Sequence, residues 1–283
     1  THTPAPPMLR SLVGSEMCIR DRMSGVTNEL IKKAEKISKN FPNSERDVLL
    51  STGEQMASAL IAGKLCDLGF NSRSWLSWQI PIITRGNYSS ARIIKIGTDQ
   101  LNKYLKKGGT PIITGFQGLN KESRLTTLER GGSDASAIML AKFFKAKRCI
   151  IYTDVDGVYT TDPNLTRKAK KIKALSYEEM LEMSSLGAKV MQPASIQDAK
   201  LNKVKIDVKS SFTNKTGTQI IGRKKIKDTN IIRGVSFTKN DAKVSLLGVK
   251  DKPGVAAAIF EPLYKNTINL DMVVQNISSD GKE

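Results

Sequence analysis

From Thr27 onward the chain alternates between stretches with helical spacing of apolar residues and short, wholly apolar runs. The three- and four-residue spacing predicts helices over 27–40, 45–69, 135–144, 177–186 and near 195–202. Between them stand "IPII", "GTPIITG", "RCIIYT" and "VKIDVKSS", runs rich in β-branched residues. Such runs, set between helices, predict parallel strands buried on both faces, and so a three-layer α/β/α sandwich with a mostly parallel sheet. Sheets of this kind bind ligands beyond the carboxyl ends of their strands. Residues just after each run are therefore the place to look for chemistry.

The two ends of the chain follow other patterns. Residues 1–22 hold no sustained period and are expected to form a non-native or disordered extension outside the fold. Within it, "SLVGSEMCIRD" resembles a translated sequencing adapter, with an arginine-bearing organelle transit peptide as the alternative. After Gly222 the charged stretch "RKKIKDTN" reads as a linker over 223–233. Beyond it, "AKVSLLGV", "DKPGVAAAIFEPLYKN" and "INLDMVVQNIS" read as strand, turn plus helix, and strand, the opening half of a split βαβ ferredoxin-like module over 234–283.

Composition removes several classes of chemistry. With 39% hydrophobic residues the chain has enough apolar material for a core, and no run approaches the roughly 18 apolar residues of a membrane span. A cytoplasmic location is expected. The only histidine is His2, so a histidine base or serine triad has no candidate. The three cysteines are unclustered, and Cys66 and Cys149 have apolar neighbours, which predicts reduced core thiols rather than disulfides or a zinc site. The net charge of +18 comes from lysines spread along the chain with no aromatic-glycine RNA-binding motif among them, so it predicts a solvated surface rather than nucleic-acid binding.

Four segments could carry chemistry. In "LERGGSDASA" the glycines free backbone N–H groups to meet an anion at a helix start, and Ser133 is placed to cap that helix. Arg130 offers a planar fork for a carboxylate and Asp134 an acceptor for an ammonium, so one short loop suits both charged groups of an amino acid; the bland alternative is a glycine turn with a surface ion pair. "YTDVDGVYTTDPN" puts Thr153 and Asp154 at a strand's carboxyl end, and its hydroxyls, carboxylates and Tyr159 suit a nucleotide's base and ribose better than calcium, whose loop spacing and closing glutamate are missing. Lys189, in "LGAKVMQPAS", follows a Gly-Ala step between helices, within reach of a triphosphate or simply in solvent. Glu54, in "STGEQMASAL", stands in an apolar helical stretch, where a carboxylate needs a partner: a ligand ammonium or an interhelical cation.

Together with "MSGVTNEL", "GFQG" and "DKPGVAAAIF…LDMVVQNIS", these segments resemble the aspartokinases of the amino-acid kinase superfamily, in family order from Met23 onward. The resemblance implies the amino-acid kinase fold followed by a partial ACT domain, and transfer of the γ-phosphoryl of MgATP to the side-chain carboxylate of L-aspartate, the first step of lysine, threonine and methionine biosynthesis. It further implies that Thr27, Glu54, Arg130, Gly131, Gly132 and Ser133 contact aspartate, that Asp134 and Lys189 serve catalysis, and that Thr153, Asp154, Tyr159, Asn164, Lys189 and Val190 line the ATP site. No metal is held by the protein alone. In the ACT module, Asp251, Gly254, Gln275 and Asn276 are the positions for a feedback amino acid, lysine or threonine, and homo-oligomers through that module are expected.

Three departures accompany the resemblance. No Lys-Phe-Gly-Gly motif precedes Met23, so the kinase domain over 23–222 is expected to lack its first strand; Glu129 stands in place of a usual glycine; and the ACT pattern stops about halfway. The chain as it stands is therefore expected to be a fragment without turnover. Glutamate 5-kinase or acetylglutamate kinase activity, and a non-catalytic amino-acid-binding module, are the alternatives.

Overall fold

The structure is a computed structural model and describes residues 17–20, 23, 25–129, 131–188, 190–226, 232–237, 244–246, 248–249, 252–266 and 273–274. The chain divides into two compact units, Thr1–Phe237 and Thr238–Glu283. In chain order the first unit begins with β1 (Cys18–Arg20), α1 (Val26–Ile37), α2 (Asn43–Asp67), β2 (Ser72–Trp75), β3 (Ile82–Arg85) and β4 (Arg92–Ile96). It continues through α3 (Asp99–Lys106), β5 (Thr110–Thr114), β6 (Gln117–Leu119), β7 (Leu125–Thr127), α4 (Gly132–Phe143) and β8 (Cys149–Thr153). It closes with β9 (Ala174–Ser176), α5 (Tyr177–Ser185), α6 (Pro193–Asn202), β10 (Ile206–Ser210) and β11 (Thr218–Ile221).

The strands form three hydrogen-bonded groups, in the orders β1-β5-β2, β8-β10-β11-β9 and β4-β3-β6-β7. The first is wholly parallel, and the second is parallel except between β10 and β11. The third is antiparallel except between β3 and β6. The fold is thus the expected α/β class, with parallel pairing dominant. All five residues of β5 are buried. Ile112 packs into a cluster with Ala62 and Leu65 of α2, whereas Ile113 joins Trp75, Leu101 and Leu140 on the other side, so helices cover both faces of the strand.

α4 joins the two halves of this unit. Ala137, Ile138 and Ala141 pack with β8, β10, α5 and α6, while Met139 and Leu140 pack with β3, β4 and α3. Ser136 to Ala141 are buried in succession, so this helix presents apolar surface to both halves rather than along one stripe.

Several expectations need correction. Residues 18–20 are not separate from the fold: β1 pairs in parallel with β5, Cys18 opposite Ile112, so the sheet does not lack a strand there. Cys18 enters the cluster with Ala62 and Leu65, and Ile19 packs towards the other side. Three residues suffice to pair an apolar strand edge but are too few to display a period. Nor do residues 223–233 all behave as a linker. Arg233 donates to the Ala174 carbonyl at 2.5 Å and lies 3.7 Å from the Glu179 carboxylate, which also pairs with Arg223. The Val235 N–H donates to the Thr160 carbonyl at 2.7 Å, and the boundary between units falls after Phe237. Cys66 is exposed, its thiol donating to the Ser72 carbonyl at 3.1 Å, because the apolar residues near it in sequence occupy a different face of α2.

In the second unit, the helix expected after Gly254 is α7 (Val255–Lys265), with no buried residue. Of the strand expected at 242–249, the described residues 244–246 and 248–249 form no strand, and of the one expected at 268–278 only 273–274 are described. Among the described residues, no helix is long and apolar enough to cross a membrane.

Candidate functional site

The 25-residue helix α2 carries an unusual polar stripe. Asp47, Ser51, Glu54 and Ser58, spaced by four, three and four residues, fall on one face of the helix, and all four are fully buried. Apolar and polar residues are mixed on every side of this helix, so it has little amphipathic character and the stripe is invisible to a search for apolar periods. Of the four, only Glu54 was singled out from sequence. The four-, three- and four-residue spacing of these polar residues is the one trace of the stripe in the sequence, and the other polar residues of the helix mask it.

Asp47 accepts four hydrogen bonds. Its Oδ2 takes the backbone N–H groups of Ser89 at 2.9 Å and Thr127 at 2.7 Å, and its Oδ1 takes both hydroxyls at 2.8 Å. One turn further along, the Ser51 carbonyl accepts from the Gln117 side chain at 3.2 Å, and Gln55 donates to both Ser51 Oγ and Gln117 Oε1 at 3.2 Å. Among the described residues, the Ser58 hydroxyl is buried with no hydrogen-bond partner, as is that of Thr27 in α1, the helix that packs on α2. Buried hydroxyls ordinarily have partners, so this end of α2 is suited to a polar ligand.

The glycine turn lies at the start of α4. Gly131 is the N-cap, left-handed at φ 77°, with no side-chain cap. The helix begins at Gly132, three residues before the predicted start, and Ser133 lies inside the first turn instead of capping it. The apolar pattern begins only at Ala135, whereas the helix takes in Gly132, where a Cβ would stand 2.7 Å from both Leu128 Cβ and Phe116 Cδ2. Asp134 is in the same turn, near the helix's positive end. A Cβ on Gly131 would stand 2.5 Å from Gln192 Cγ, and the Gly131 carbonyl accepts from Ser195 Oγ at 3.1 Å. This turn is thereby brought against the start of α6, whose N-cap Gln192 is two residues after Val190. Glu129 is exposed, and Arg130 and Lys189 lie outside the described residues.

The third element is the loop after β8. Thr153 ends the strand, and its hydroxyl donates to Asp154, which is exposed, at 3.0 Å. Tyr159 donates to Asp156 Oδ1 at 2.7 Å, and Lys171 reaches Asp156 Oδ2 at 3.3 Å and the Thr216 carbonyl at 2.7 Å. The Tyr159 hydroxyl, with help from Lys171, holds the Asp156 carboxyl below its ordinary range, and the same bond raises the phenol of Tyr159. The hydroxyl of Tyr159 is thus committed to the loop itself, and its ring is what remains for a ligand. Asp156 and Lys171 were not among the expected site residues; they shape the loop. Asn164 is exposed, its N–H donating to Asp162 Oδ1 at 2.9 Å, in a turn held by local bonds.

Of the expected effector positions, Gly254 is the left-handed N-cap of α7 at φ 91°, and Asp251, Gln275 and Asn276 lie outside the described residues. Among the described residues, no group of three His, Cys, Asp or Glu side chains is placed to hold a metal ion.

Residues 23–210 match the amino acid kinase family. Over 264 residues the chain is 43% identical to an aspartokinase of Helicobacter pylori (strain J99), a match covering 92% of this chain and 65% of that protein. Its structure is similar to that of E. coli aspartokinase III in complex with aspartate and ADP, with a TM-score of 0.68 at 27% identity, over 88% of this chain and 57% of the other. The aspartate kinase from Synechocystis gives a TM-score of 0.66 at 32% identity, over 95% of this chain and 46% of the other. The chain therefore spans just under two thirds of the Helicobacter relative's length and less of these solved structures. The match over 23–210 takes in the polar stripe of α2, the glycine turn of α4 and the loop after β8 together, and the chain belongs to the amino acid kinase family.

Proposed function

We propose that the chain is the kinase portion of an aspartate kinase, transferring the γ-phosphoryl of MgATP to the side-chain carboxylate of L-aspartate to give 4-aspartyl phosphate and ADP, the first step of lysine, threonine and methionine biosynthesis. The observation that carries this reading is the buried polar stripe of α2 alongside a glycine-opened helix start, on a chain similar to an aspartokinase solved with aspartate and ADP. Arg130 forks onto the substrate's α-carboxylate, Glu54 takes its ammonium, and Thr27, Ser133 and the Gly131 and Gly132 amides complete the grip. The Asp134 carboxylate orders the groups around the turn.

Thr153, Asp154, Tyr159, Asn164 and Val190 line the nucleotide, and Lys189 neutralises charge on the transferring phosphoryl. Magnesium arrives on the nucleotide's phosphates. An oxygen of the aspartate side chain bonds to the γ-phosphorus as the bond to the ADP oxygen breaks. That carboxylate is already ionised, so no base is needed, and a chain whose sole histidine is His2 is not handicapped. A feedback amino acid, lysine or threonine, at Asp251, Gly254, Gln275 and Asn276 of a ferredoxin-like ACT module, self-association through that module, and a cytoplasmic location complete the reading.

Hydroxylamine trapping tests it. With MgATP, acyl phosphate should form with L-aspartate and not with L-glutamate or N-acetyl-L-glutamate. Preference for either of the latter would reassign the substrate, and amino-acid binding without any acyl phosphate would favour a binding module.

A further inference from the structure

We infer that Asp47 is a positioning residue for amino-acid binding: its buried carboxylate ties the 86–91 loop and the end of β7 to α2, and so fixes the glycine turn that opens α4. The inference rests on the reading of that turn as the amino-acid site. Asp47 is fully buried and accepts two backbone N–H groups and two hydroxyls, an acceptor set that uses both carboxylate oxygens.

The bonds are placed to transmit position. Ser89 is held left-handed at φ 65°, uncommon for a residue with a side chain, and both of its bonds to Asp47 depend on that turn. Thr127 is the last residue of β7, and its carbonyl accepts from the Ala91 N–H at 3.1 Å, closing the 86–91 loop against the strand. The next residue, Leu128, donates to the Phe116 carbonyl at 2.9 Å and packs on Gly132, where an added Cβ would stand 2.7 Å from Leu128 Cβ. From Asp47 a path to the first turn of α4 therefore runs through Thr127 and Leu128. α2 also carries Glu54, two turns along the same face, so the clamp sets the helix bearing one proposed substrate contact against the turn bearing four more. The loop after β8 has no part in it.

Aspartate and asparagine should differ little here. In Asp47→Asn the amide oxygen can accept both backbone N–H groups while the amide nitrogen donates to the two hydroxyls, which accept as readily as they donate. Asp47→Ala instead leaves four donors without an acceptor.

Calorimetry on the full chain with L-aspartate and, separately, MgADP tests the assignment, alongside hydrogen exchange of the unliganded protein. Asp47→Ala should weaken L-aspartate roughly tenfold or more with MgADP within about twofold, as expected of a displaced contact, and Asp47→Asn should restore aspartate binding. Exchange should quicken at 88–90 and 127–132 and stay unchanged in β8. Ser89→Ala, which removes one of the four bonds, should move aspartate binding the same way by less, and it decides the matter if Asp47→Ala does not fold. Equal weakening of both ligands, or unchanged aspartate binding in both Asp47→Ala and Ser89→Ala, would overturn the inference. Should the unaltered chain bind no L-aspartate, the proposed function fails, and exchange alone then decides the positioning role: an unchanged rate at 127–132 in Asp47→Ala, or in Ser89→Ala if the alanine variant does not fold, refutes it.

Discussion

Asp156 and Tyr159 show how a single hydrogen bond sets the behaviour of a loop. The bond lowers the pKa of the carboxyl and raises that of the phenol, so it favours the pair in which Asp156 is ionised and Tyr159 is not. Its contribution from Asp156 is present above the ordinary aspartate pKa of about 3.9 and fades as pH falls through the lowered value. The contribution from Tyr159 is present below about 10 and fades as pH rises through the raised value. Tyr159→Phe should therefore move the Asp156 carboxyl back up towards its ordinary range, as read by carbon NMR titration of the side chain. An unchanged titration would mean that Lys171 and Lys215 hold it without the phenol. The thiols offer a second check. Burial pushes the Cys149 thiol up to about 12, whereas Cys66 is exposed. A thiol reagent near pH 8 should modify Cys66 in the native protein and leave Cys149 until unfolding, as mapped by mass spectrometry.

At the scale of an element, the start of α4 is the most constrained feature of the site. Gly132 is hemmed in by Leu128 Cβ and Phe116 Cδ2, each 2.7 Å from where a Cβ would lie. Ser136 accepts from the Phe116 N–H at 3.1 Å and donates to the Gly132 carbonyl at 2.8 Å, which fixes the same turn from inside. Gly132→Ala should cost about 1–3 kcal/mol, the usual range for overpacking, because both neighbours must shift, and denaturant unfolding will measure it. Stability within about 0.5 kcal/mol of the original would mean that the turn yields easily and that its glycines serve only ligand access. β1 shows the opposite situation: three residues find their place because β5 offers a parallel edge and two apolar faces, not because of any strong preference of their own.

Across the first unit, both halves of the core are built on α4. Ile138 is fully buried in the half with β8, β10 and α6, while the adjacent Met139 and Leu140 belong to the half with β3, β4 and α3. The unit should therefore unfold as one. Ile138→Ala should lose about 2–5 kcal/mol, typical of a large-to-small change in a core, and should lower a single midpoint. Trp75 and Trp78, the chain's two tryptophans, both lie in the stretch before α3 and report one half through fluorescence, while amide exchange in β8 and β10 reports the other. Two separated midpoints would show that α4 does not couple the halves. Such coupling matters for the proposed chemistry, since the amino-acid turn and the nucleotide loop sit at opposite ends of the connection through α4 and β8, and phosphoryl transfer needs both held in one geometry.

The sequence by itself determined the kinds of elements and the loops that matter. Apolar runs with β-branched residues became β5, β8 and β10, and the helical stretches became α1, α2, α4, α5 and α6, within a few residues of their predicted bounds. The α/β class follows from that alternation, because a run buried on both faces needs helices to cover it. Glycine pairs, Glu54 and the turn after "CIIYT" were legible as candidates because each breaks the local pattern. What only the tertiary structure decided were the relations between residues far apart in sequence. Asp47 meets Ser89 at 42 positions' remove and Thr127 at 80, and nothing in "SERDV" distinguishes this aspartate from a solvated one. The same holds for Cys18 against Ile112, Arg233 against Ala174 and the exposed face that carries Cys66. Periodicity reports which side of an element is apolar; whether a polar side chain is buried, and which partner satisfies it, is settled only when two elements pack.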